Sequence, residues 1–203
     1  FTSLDGHRIS IRKVQLKNIY PEKEVIVPGK TLSEISKILT GGAEDDVNIY
    51  ITKNHILFEF EQTLVVSRLI EGNYFSVDKM MSSDYETKIS INKRYLYECI
   101  DRSMLFSKEG NKKPIVISVN DEVLRLVVNS PLGSMDEEIE ISKQGKEITI
   151  GFNPKFLLDA LKVIDEESID IYFVNAKAPC YIKDENEKFI YLILPVNLNN
   201  SHY

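Results

Sequence analysis

The sequence has few of the residues that hold metals or carry redox chemistry. Its 203 residues include two cysteines, Cys99 and Cys180, and three histidines, His7, His55 and His202. Neither group has the short spacing of a zinc site, so we expect no metal and no cofactor. The two cysteines fall in a predicted helix and a predicted strand, which indicates buried, reduced thiols in a protein of the cytoplasm.

Long apolar runs and phosphate-binding loops are also absent from the sequence. No stretch approaches the ~18 apolar residues of a membrane span, and no P-loop pattern occurs. The first residues, FTSLDGHRIS, have neither the basic start nor the apolar core of a signal peptide. These absences predict a cytoplasmic protein without membrane association. Because the sequence opens without Met and inside a segment that we expect to be folded, we also expect that an N-terminal part is absent.

The sequence offers little for catalysis. Asp5 and His7 stand two residues apart in a polar cluster, where a carboxylate is able to orient a histidine as a general base. No serine or cysteine completes a triad with a recognisable local signature. The acidic runs 136–138 and 165–167 are interpreted as solvated loop charges rather than Mg²⁺ ligands. A hydrolase built on Asp5 and His7 is therefore the weaker alternative, and we predict that the chain is not an enzyme.

What the sequence does contain is one pattern repeated three times, a strand, a helix and then three further strands, at a period of ~60 residues. The predicted helices are Lys30–Leu39, Lys93–Phe106 and Pro154–Ile164. The strand runs after them are Val47–Thr52, His55–Glu61 and Leu64–Ile70, then Ile115–Val119, Val123–Asn129 and Met135–Ile141, then Ile169–Val174, Pro179–Lys183 and Phe189–Pro195. The expected fold class is α+β, with strand–helix–three-strand units and the helices on one side of antiparallel sheets.

Further features divide the chain. His7–Leu16 matches the last strand of another unit, and the polar segment Lys79–Lys88 is interpreted as a linker with a domain boundary near Ser82. We therefore expect two domains, residues 1–81 and 82–203.

When the three helices are aligned, one equivalent position is acidic in each; it holds Glu34, Glu98 and Asp159.

The charge is distributed unevenly along the chain. The net charge of −6 argues against nucleic-acid binding by bulk attraction. Each predicted helix nevertheless carries a net charge of +1, which leaves −9 for the rest of the chain. The basic residues of the helices are Lys30, Lys37, Lys93, Arg94, Arg102, Lys155 and Lys162. An acidic body with mildly basic helices suits a polyanion on the helix side only, although surface lysines also serve solubility alone.

Five segments, taken in order and spacing, resemble one protein family. They are Asp5–Ile9 (DGHRI), Val27–Lys30 (VPGK), Ser67–Tyr74 (SRLIEGNY), Ile150–Lys155 (IGFNPK) and Leu192–Val196 (LILPV). Over essentially its whole length the chain closely resembles the β subunit of bacterial DNA polymerase III, the sliding-clamp family. The resemblance implies that residues 1–81 are the C-terminal half of the clamp's middle domain, whose first half is missing, and that residues 82–203 are the whole third domain.

The resemblance also implies a function. The family's DNA-clamp fold is a ring of two subunits that closes head to tail around duplex DNA, with helices lining the hole. Its contacts with DNA are independent of sequence, and the seven basic helix residues would face the phosphates. The implied function is that of a non-catalytic processivity factor in DNA replication, a subunit of the DNA-directed DNA polymerase holoenzyme. The alternative is a peptide-binding interaction module that does not associate with DNA.

The implied partners are the polymerase catalytic subunit, the clamp loader and repair polymerases, which bind through short linear peptides, and a second copy of the full-length protein. They would use a hydrophobic pocket between the middle and third domains. Carried over by motif, the pocket residues are Leu4, Gly6, His7, Arg8, Ile9, Phe75, Lys79, Met80, Asn153, Phe156, Leu192, Leu194, Pro195 and Val196. Plain strand core is the alternative role for Leu192 and Leu194.

Three positions depart from the usual family pattern. Family members usually have a polar residue where Leu4 stands, Pro where Phe75 stands and Arg where Asn197 stands. The larger side chain of Phe75 is expected to narrow the peptide groove. The five residues from Asn199 onward run past the usual end of the family and are expected to be frayed.

Overall fold

The computed structural model describes residues 1–42, 45–77, 84–106, 113–184 and 188–198. The chain divides into two compact units. The large unit joins Phe1–Gln15 to Ser82–Tyr203, and the small unit is Leu16–Met81. No helix in the described part of the chain is both long enough and apolar enough to cross a membrane.

Helices and strands follow the repeated order that the sequence predicts. The helices are α1 (Gly29–Ile38), α2 (Lys93–Ser103) and α3 (Pro154–Leu161), and α2 continues into a 3₁₀ turn at Met104–Phe106. The strands of the small unit are β3 (Asn48–Ile51), β4 (His55–Phe60) and β5 (Thr63–Arg68). The strands of the large unit are β1 (Thr2–Leu4), β2 (Arg8–Arg12), β6 (Thr87–Asn92), β7 (Ile115–Asn120), β8 (Val123–Ser130), β9 (Gly133–Glu140), β10 (Ser142–Gly145), β11 (Ile148–Phe152), β12 (Ser168–Phe173), β13 (Cys180–Lys183) and β14 (Phe189–Ile193).

Two antiparallel sheets form the large unit. One has seven strands in the order β1-β2-β14-β13-β12-β6-β10, and the other has four in the order β11-β7-β8-β9. β6 shows the alternation that makes these segments strands, because Thr87, Ile89 and Ile91 are buried and the intervening Lys88 and Ser90 lie on the other face. The N-terminal strand β2 pairs with the C-terminal strand β14, from Arg8 opposite Ile193 to Arg12 opposite Phe189.

The helices α2 and α3 pack against each other and against both sheets of the large unit. α2 contacts β6, β8 and β9, and α3 contacts β14. Leu96, Cys99 and Ile100 recur at the spacing that places apolar side chains on one helix face, and all three are buried. The side chains of Asn92 and Asn153 cap α2 and α3, because each accepts a hydrogen bond from a backbone N–H in the first turn of its helix. The result is one continuous core.

The small unit is one helix against one sheet. Its sheet has the order β3-β4-β5, and its buried core consists of Ile35, Ile56, Phe58 and Phe60. α1 begins after Pro28, which makes no side-chain cap. The small unit is therefore the same repeat with a much smaller core.

The predicted fold class is confirmed, and so are all three helices and the nine strand runs that follow them. Cys99 and Cys180 are buried and free, as predicted. The predicted linker Lys79–Lys88 is wrong at its end, because Thr87 and Lys88 belong to β6. Thr87 is buried there, and its hydroxyl donates to the Lys146 carbonyl at 2.8 Å. Ser82 and the tail from Asn199 lie outside the described residues, so the boundary near Ser82 stays a prediction.

Among the described residues, five strands lie outside the nine predicted runs: β1, β2, β6, β10 and β11. β2 falls within the separately predicted strand His7–Leu16, and β6 and β11 occupy the place of the strand that precedes a helix in the expected units. β1 and β10 are short and mostly exposed, so neither has an alternating apolar pattern to reveal it. The predicted strand His7–Leu16 is shorter in the structure, where β2 ends at Arg12. Residues Phe1–Gln15 belong to the large unit because the β1–β2 hairpin extends its seven-stranded sheet.

Candidate functional site

The turn between β1 and β2 positions the residues of the DGHR motif. Gly6 has φ of +85°, a left-handed conformation that glycine adopts without steric cost. Asp5 stabilises the same turn, since its Oδ1 accepts a hydrogen bond from the backbone N–H of His7 at 3.2 Å. The turn leads directly into β2, which begins at Arg8. The motif therefore has a structural reason for its Asp and its Gly.

Arg8 links three elements of the large unit. Its Nη1 donates to Asp159 Oδ2 on α3 at 2.7 Å and to the Tyr191 hydroxyl on β14 at 3.1 Å. Its Nε donates to Asp5 Oδ2 at 2.7 Å. Burial alone would lower the pKa of Arg8, but the hydrogen bonds to Asp159 and Asp5 outweigh it and raise that pKa. Arg8 is therefore permanently charged and held on several sides.

The aromatic ring of Phe156 lies against the same turn. The centroids of the His7 and Phe156 rings are 5.8 Å apart, and Arg8 Cζ lies 4.5 Å from the Phe156 centroid, within cation–π range. Phe156 is in the first turn of α3, and Asn153 caps that turn because its Oδ1 accepts the Lys155 N–H at 3.1 Å. Four predicted pocket residues, His7, Arg8, Asn153 and Phe156, are thus brought together in the large unit.

The segment after β14 joins this group through backbone hydrogen bonds. The Leu194 N–H donates to the His7 carbonyl at 2.8 Å, and the Val196 N–H donates to the Gly151 carbonyl at 2.8 Å. A Cβ at Gly151 would lie 2.4 Å from Leu198 Cδ2, so the missing side chain leaves room for this segment. Leu194 and Pro195 are half-buried and Val196 is exposed. Leu194 is therefore not plain strand core.

The other apolar residues of the predicted pocket lie on the opposite face of the seven-stranded sheet. Ile9 pairs with both Leu4 on β1 and Leu192 on β14. Ile9 and Leu192 are buried, and Leu4 is 39% exposed. Tyr191 and Ile193, which flank Leu192, belong to the core beneath α2 and α3, so alternation turns Leu192 the other way. The predicted pocket residues of the large unit therefore fall into two sets, one on each face of the sheet.

The remaining pocket residues belong to the other unit. Phe75 is 55% exposed. Lys79 and Met80 lie outside the described residues. The roles of all fourteen pocket residues, including those that the large unit brings together, stay predictions.

The basic helix residues predicted to face DNA differ in their partners. Lys37 pairs with Glu34 at 2.9 Å on α1, and Arg94 pairs with Glu98 at 2.8 Å on α2. The Arg102 guanidinium donates two hydrogen bonds to the carboxylate of Glu137 on β9, and this contact raises the pKa of Arg102. The Nζ of Lys93 donates to the Ile164 carbonyl, and Lys30, Lys155 and Lys162 have exposed positions on α1 or in and just after α3.

The hydrolase alternative finds no support in the geometry around Asp5. Burial would raise the pKa of Asp5, but hydrogen bonds from the Arg8 side chain and the His7 backbone outweigh that effect and lower it. The carboxylate contacts the backbone of His7, whereas the imidazole ring lies beside Phe156. Asp5 therefore does not orient the imidazole, and no cluster of three or more His, Cys, Asp or Glu suited to a metal occurs among the described residues.

Sequence reasoning missed two residues of this site, Asp159 and Tyr191. A signal for Asp159 was present, because the repeat alignment puts an acidic residue at the same position of every helix. Its counterparts Glu34 and Glu98 pair locally with Lys37 and Arg94. Asp159 alone of the three pairs with a residue 151 positions away.

Comparison with known protein families places the chain. The DNA polymerase III beta subunit, C-terminal domain, matches residues 79–197, and the central domain of the same subunit matches residues 1–76. The Beta sliding clamp of Staphylococcus aureus is 35% identical over 198 residues, which are 96% of this chain and 52% of that protein. The chain therefore spans about half the length of the curated relatives it matches.

Solved structures of similar proteins indicate the same family. A putative DNA polymerase III beta subunit from Eubacterium rectale has 64% identity and a TM-score of 0.95, covering 98% of this chain and 54% of that one. The DNA polymerase sliding clamp of Bacillus subtilis has 36% identity and a TM-score of 0.90, covering 97% of this chain and 53% of that one. The chain belongs to the DNA polymerase III beta subunit family.

Proposed function

We propose that this chain forms part of a sliding clamp, a non-catalytic processivity factor that encircles duplex DNA as a ring-shaped dimer. The observation that carries the proposal is family membership along the chain, with central-domain and C-terminal-domain models matching in order. In this proposal the large unit contains the third domain, and residues 1–81 supply the second half of the middle domain. The replication partners would dock on the site around His7, Arg8 and Phe156.

The pairing of β2 with β14 supports a chain of repeats joined edge to edge. β2 matches the last strand of one repeat by sequence, and it extends a sheet formed mainly by another repeat. β9 is also the last strand of its repeat, and it lies at an edge of the four-stranded sheet. An unpaired strand edge is a template for pairing with a further chain. We infer that β9 offers this edge to the next subunit, in a head-to-tail contact.

The charge of β9 specifies the partner surface. Asp136, Glu137, Glu138 and Glu140 all lie on this strand. Arg125 forms an ion pair with Asp136, and Arg102 forms one with Glu137. The partner edge is therefore expected to be basic, which would favour the correct head-to-tail pairing over a contact between two acidic edges.

DNA would be held by topology rather than by affinity. The chain is acidic overall, and its basic residues on α1, α2 and α3 would supply few phosphate contacts for each subunit. Weak, sequence-independent contacts suit a protein that must slide. An acidic outer body would also keep DNA from binding elsewhere on the ring.

A topological assay tests this proposal. The full-length protein is loaded by its clamp loader onto a nicked circular duplex, and the DNA-bound fraction is isolated by gel filtration. We expect the protein to stay with the circle and to leave when the duplex is linearised. Equal retention on both forms would show ordinary affinity, and no retention on either would favour the peptide-binding module without DNA association.

The peptide site is tested on the chain itself. The probe is a synthetic peptide that copies the clamp-binding segment of the polymerase catalytic subunit from the same organism. If Leu194 contacts the peptide, Leu194→Ala should remove ~2 kcal/mol of buried contact, which is roughly 30-fold in affinity. Calorimetric titration measures the affinity, and thermal unfolding of the variant controls for damage to the fold. Unchanged affinity in a folded variant would remove Leu194 from the site.

A further inference from the structure

The contacts of Arg8 differ from those of a residue that is free to reach a ligand. Its guanidinium donates to Asp5, Asp159 and Tyr191, and only 24% of its side chain is exposed. These partners come from the β1–β2 turn, from α3 and from β14. Arg8 therefore joins the three elements that carry the peptide-site residues of one sheet face.

The contacts of Arg8 fix its position against the aromatic ring of Phe156. Phe156 and Asp159 stand three residues apart on α3, so they share one side of the helix. Asp159 holds Nη1 of Arg8 at 2.7 Å, and the guanidinium carbon then lies 4.5 Å from the Phe156 centroid. Because the guanidinium is planar and its donors have a fixed geometry, anchoring Nε and Nη1 also sets the plane that faces the ring. The His7 ring lies against Phe156 as well, with 5.8 Å between the centroids.

We propose that Asp159 and Tyr191 are positioning residues of the peptide site: they hold the Arg8 guanidinium so that it supports the Phe156 ring beside His7. This inference rests on the proposed peptide-docking function. Asp159 and Tyr191 act through Arg8, and the surface that a peptide meets is the pair of rings. Asp159 thus has a role that Glu34 of α1 and Glu98 of α2 do not have, because these two residues pair within their own helices.

Conservative substitutions separate positioning from folding. Asp159→Asn removes one charge with little change of shape, Tyr191→Phe removes one hydroxyl, and Asp159→Glu restores the carboxylate. The control is Asp170→Asn, because Asp170 resembles Asp159 in its surroundings. Asp170 forms a 2.7 Å ion pair with Lys88, and its side chain is 28% exposed, against 33% for Asp159. Asp170 lies in β12 between the core residues Ile169 and Ile171, so alternation places it on the opposite sheet face from Arg8.

Two measurements are made on each variant of the chain: calorimetric titration with the same polymerase-derived peptide, and the NMR signals of the His7 ring, which report the ring current of Phe156. Asp159→Asn should weaken binding roughly tenfold, as expected for one charge-assisted hydrogen bond, and Tyr191→Phe roughly threefold. Both should shift the His7 signals, and Asp159→Glu should recover most of the affinity. Asp170→Asn should leave affinity and His7 signals unchanged, even if it lowers the melting temperature equally.

The outcomes distinguish this inference from the function it rests on. Failure of the parent chain to bind the peptide overturns the docking function and the inference together. Parent binding with full affinity in Asp159→Asn and Tyr191→Phe overturns the positioning role alone. Equal losses in Asp159→Asn and Asp170→Asn would reduce Asp159 to an ordinary contributor to stability and would likewise overturn the role.

Discussion

The large and small units contain the same repeat but differ in how much of each helix is buried. α2 buries four residues and α3 five, whereas α1 buries only Ile35. In the large unit the two helices pack on each other between two sheets, and 28 of the described residues share one core. In the described part of the small unit, four buried residues form the core. The sheet of a single repeat covers one side of its own helix. Two repeats together enclose a pair of helices between their sheets.

The largest expected effect is on the small core. Phe58→Ala should cost ~3–5 kcal/mol, as should Phe152→Ala in the large unit, because both rings are buried and each change leaves a cavity. Phe58 has three buried core neighbours among the described residues of the small unit, so that unit is expected to unfold, whereas the large unit should stay folded. Hydrogen exchange resolved by segment measures the two units separately. Retained protection of β4 in the Phe58→Ala variant would contradict the contrast.

A glycine in each unit sharpens the comparison. Gly145 has φ of +101°, and a Cβ there would lie 2.0 Å from the Glu86 carbonyl oxygen, so Gly145→Ala should destabilise the large unit by about 2–5 kcal/mol. The matched change Gly29→Ala, in the first turn of α1, meets no atom within 4 Å and should stabilise the small unit by ~0.4–1 kcal/mol. Thermal unfolding followed by segment-resolved exchange measures both. A tolerated Gly145→Ala would show that β10 shifts freely.

The thiols predict a pH dependence that is confined to the large unit. Burial raises the pKa of both Cys99 and Cys180 from 9.0 to about 12, and a hydrogen bond to Glu137 contributes further for Cys99. An unfolded thiol therefore ionises first, so this contribution to stability is complete below pH 9 and is lost as pH rises toward 12. Between these values the unfolding free energy should fall by about 1.4 kcal/mol per pH unit for each thiol.

Denaturant unfolding at pH 8 to 10.5 measures this slope, and a Cys99→Ala/Cys180→Ala variant supplies the control. The variant should lose the thiol component of the slope, while exchange in the small unit, which has no cysteine, should not respond to the substitutions. An identical slope in parent and variant would assign the pH dependence to other groups.

The smallest expected effect concerns the helix starts. Asn92 Oδ1 accepts the Tyr95 N–H at 3.1 Å and caps α2, so Asn92→Ala should cost ~1 kcal/mol. Pro28 precedes α1 without a side-chain cap, and Pro28→Ala should lose no capping bond. Circular dichroism during thermal unfolding gives the comparison. Equal destabilisation by the two changes would show that capping does not distinguish the helices.

Local patterns explain why the helices and most strands were predictable. Apolar spacing marks α2 and α3, and Asn92, Asn153 and Pro154 mark their starts. The expected units place a strand before each helix, and β6 takes that place before α2. Its bounds were not predicted, because it follows a polar stretch and pairs with β12 and β10, which come later in the chain. Strands as short as β1 carry too few residues for alternation to be read. Pairing between distant segments decides such elements.

The peptide site shows the same division. The segments DGHRI, IGFNPK and LILPV identified its position, because each holds residues for a turn, a helix cap or a strand. Alternation along the predicted strand already places Arg8 and Ile9 on opposite faces of the sheet. Sequence could not show that Leu192 lies beside Ile9 and Ile193 beside Arg8, because this follows from the register of β2 against β14.

The sequence by itself determined the repeat, the family, the buried thiols and the three helices, because these depend on local residue patterns. The tertiary structure alone decided how Arg8 is used. Its partners Asp159 and Tyr191 lie 151 and 183 positions away, and they reach one guanidinium only because β2 pairs with β14 while α3 packs against β14. Hydrogen-bond geometry acts over about 3 Å, and folding alone brings such distant groups within that range.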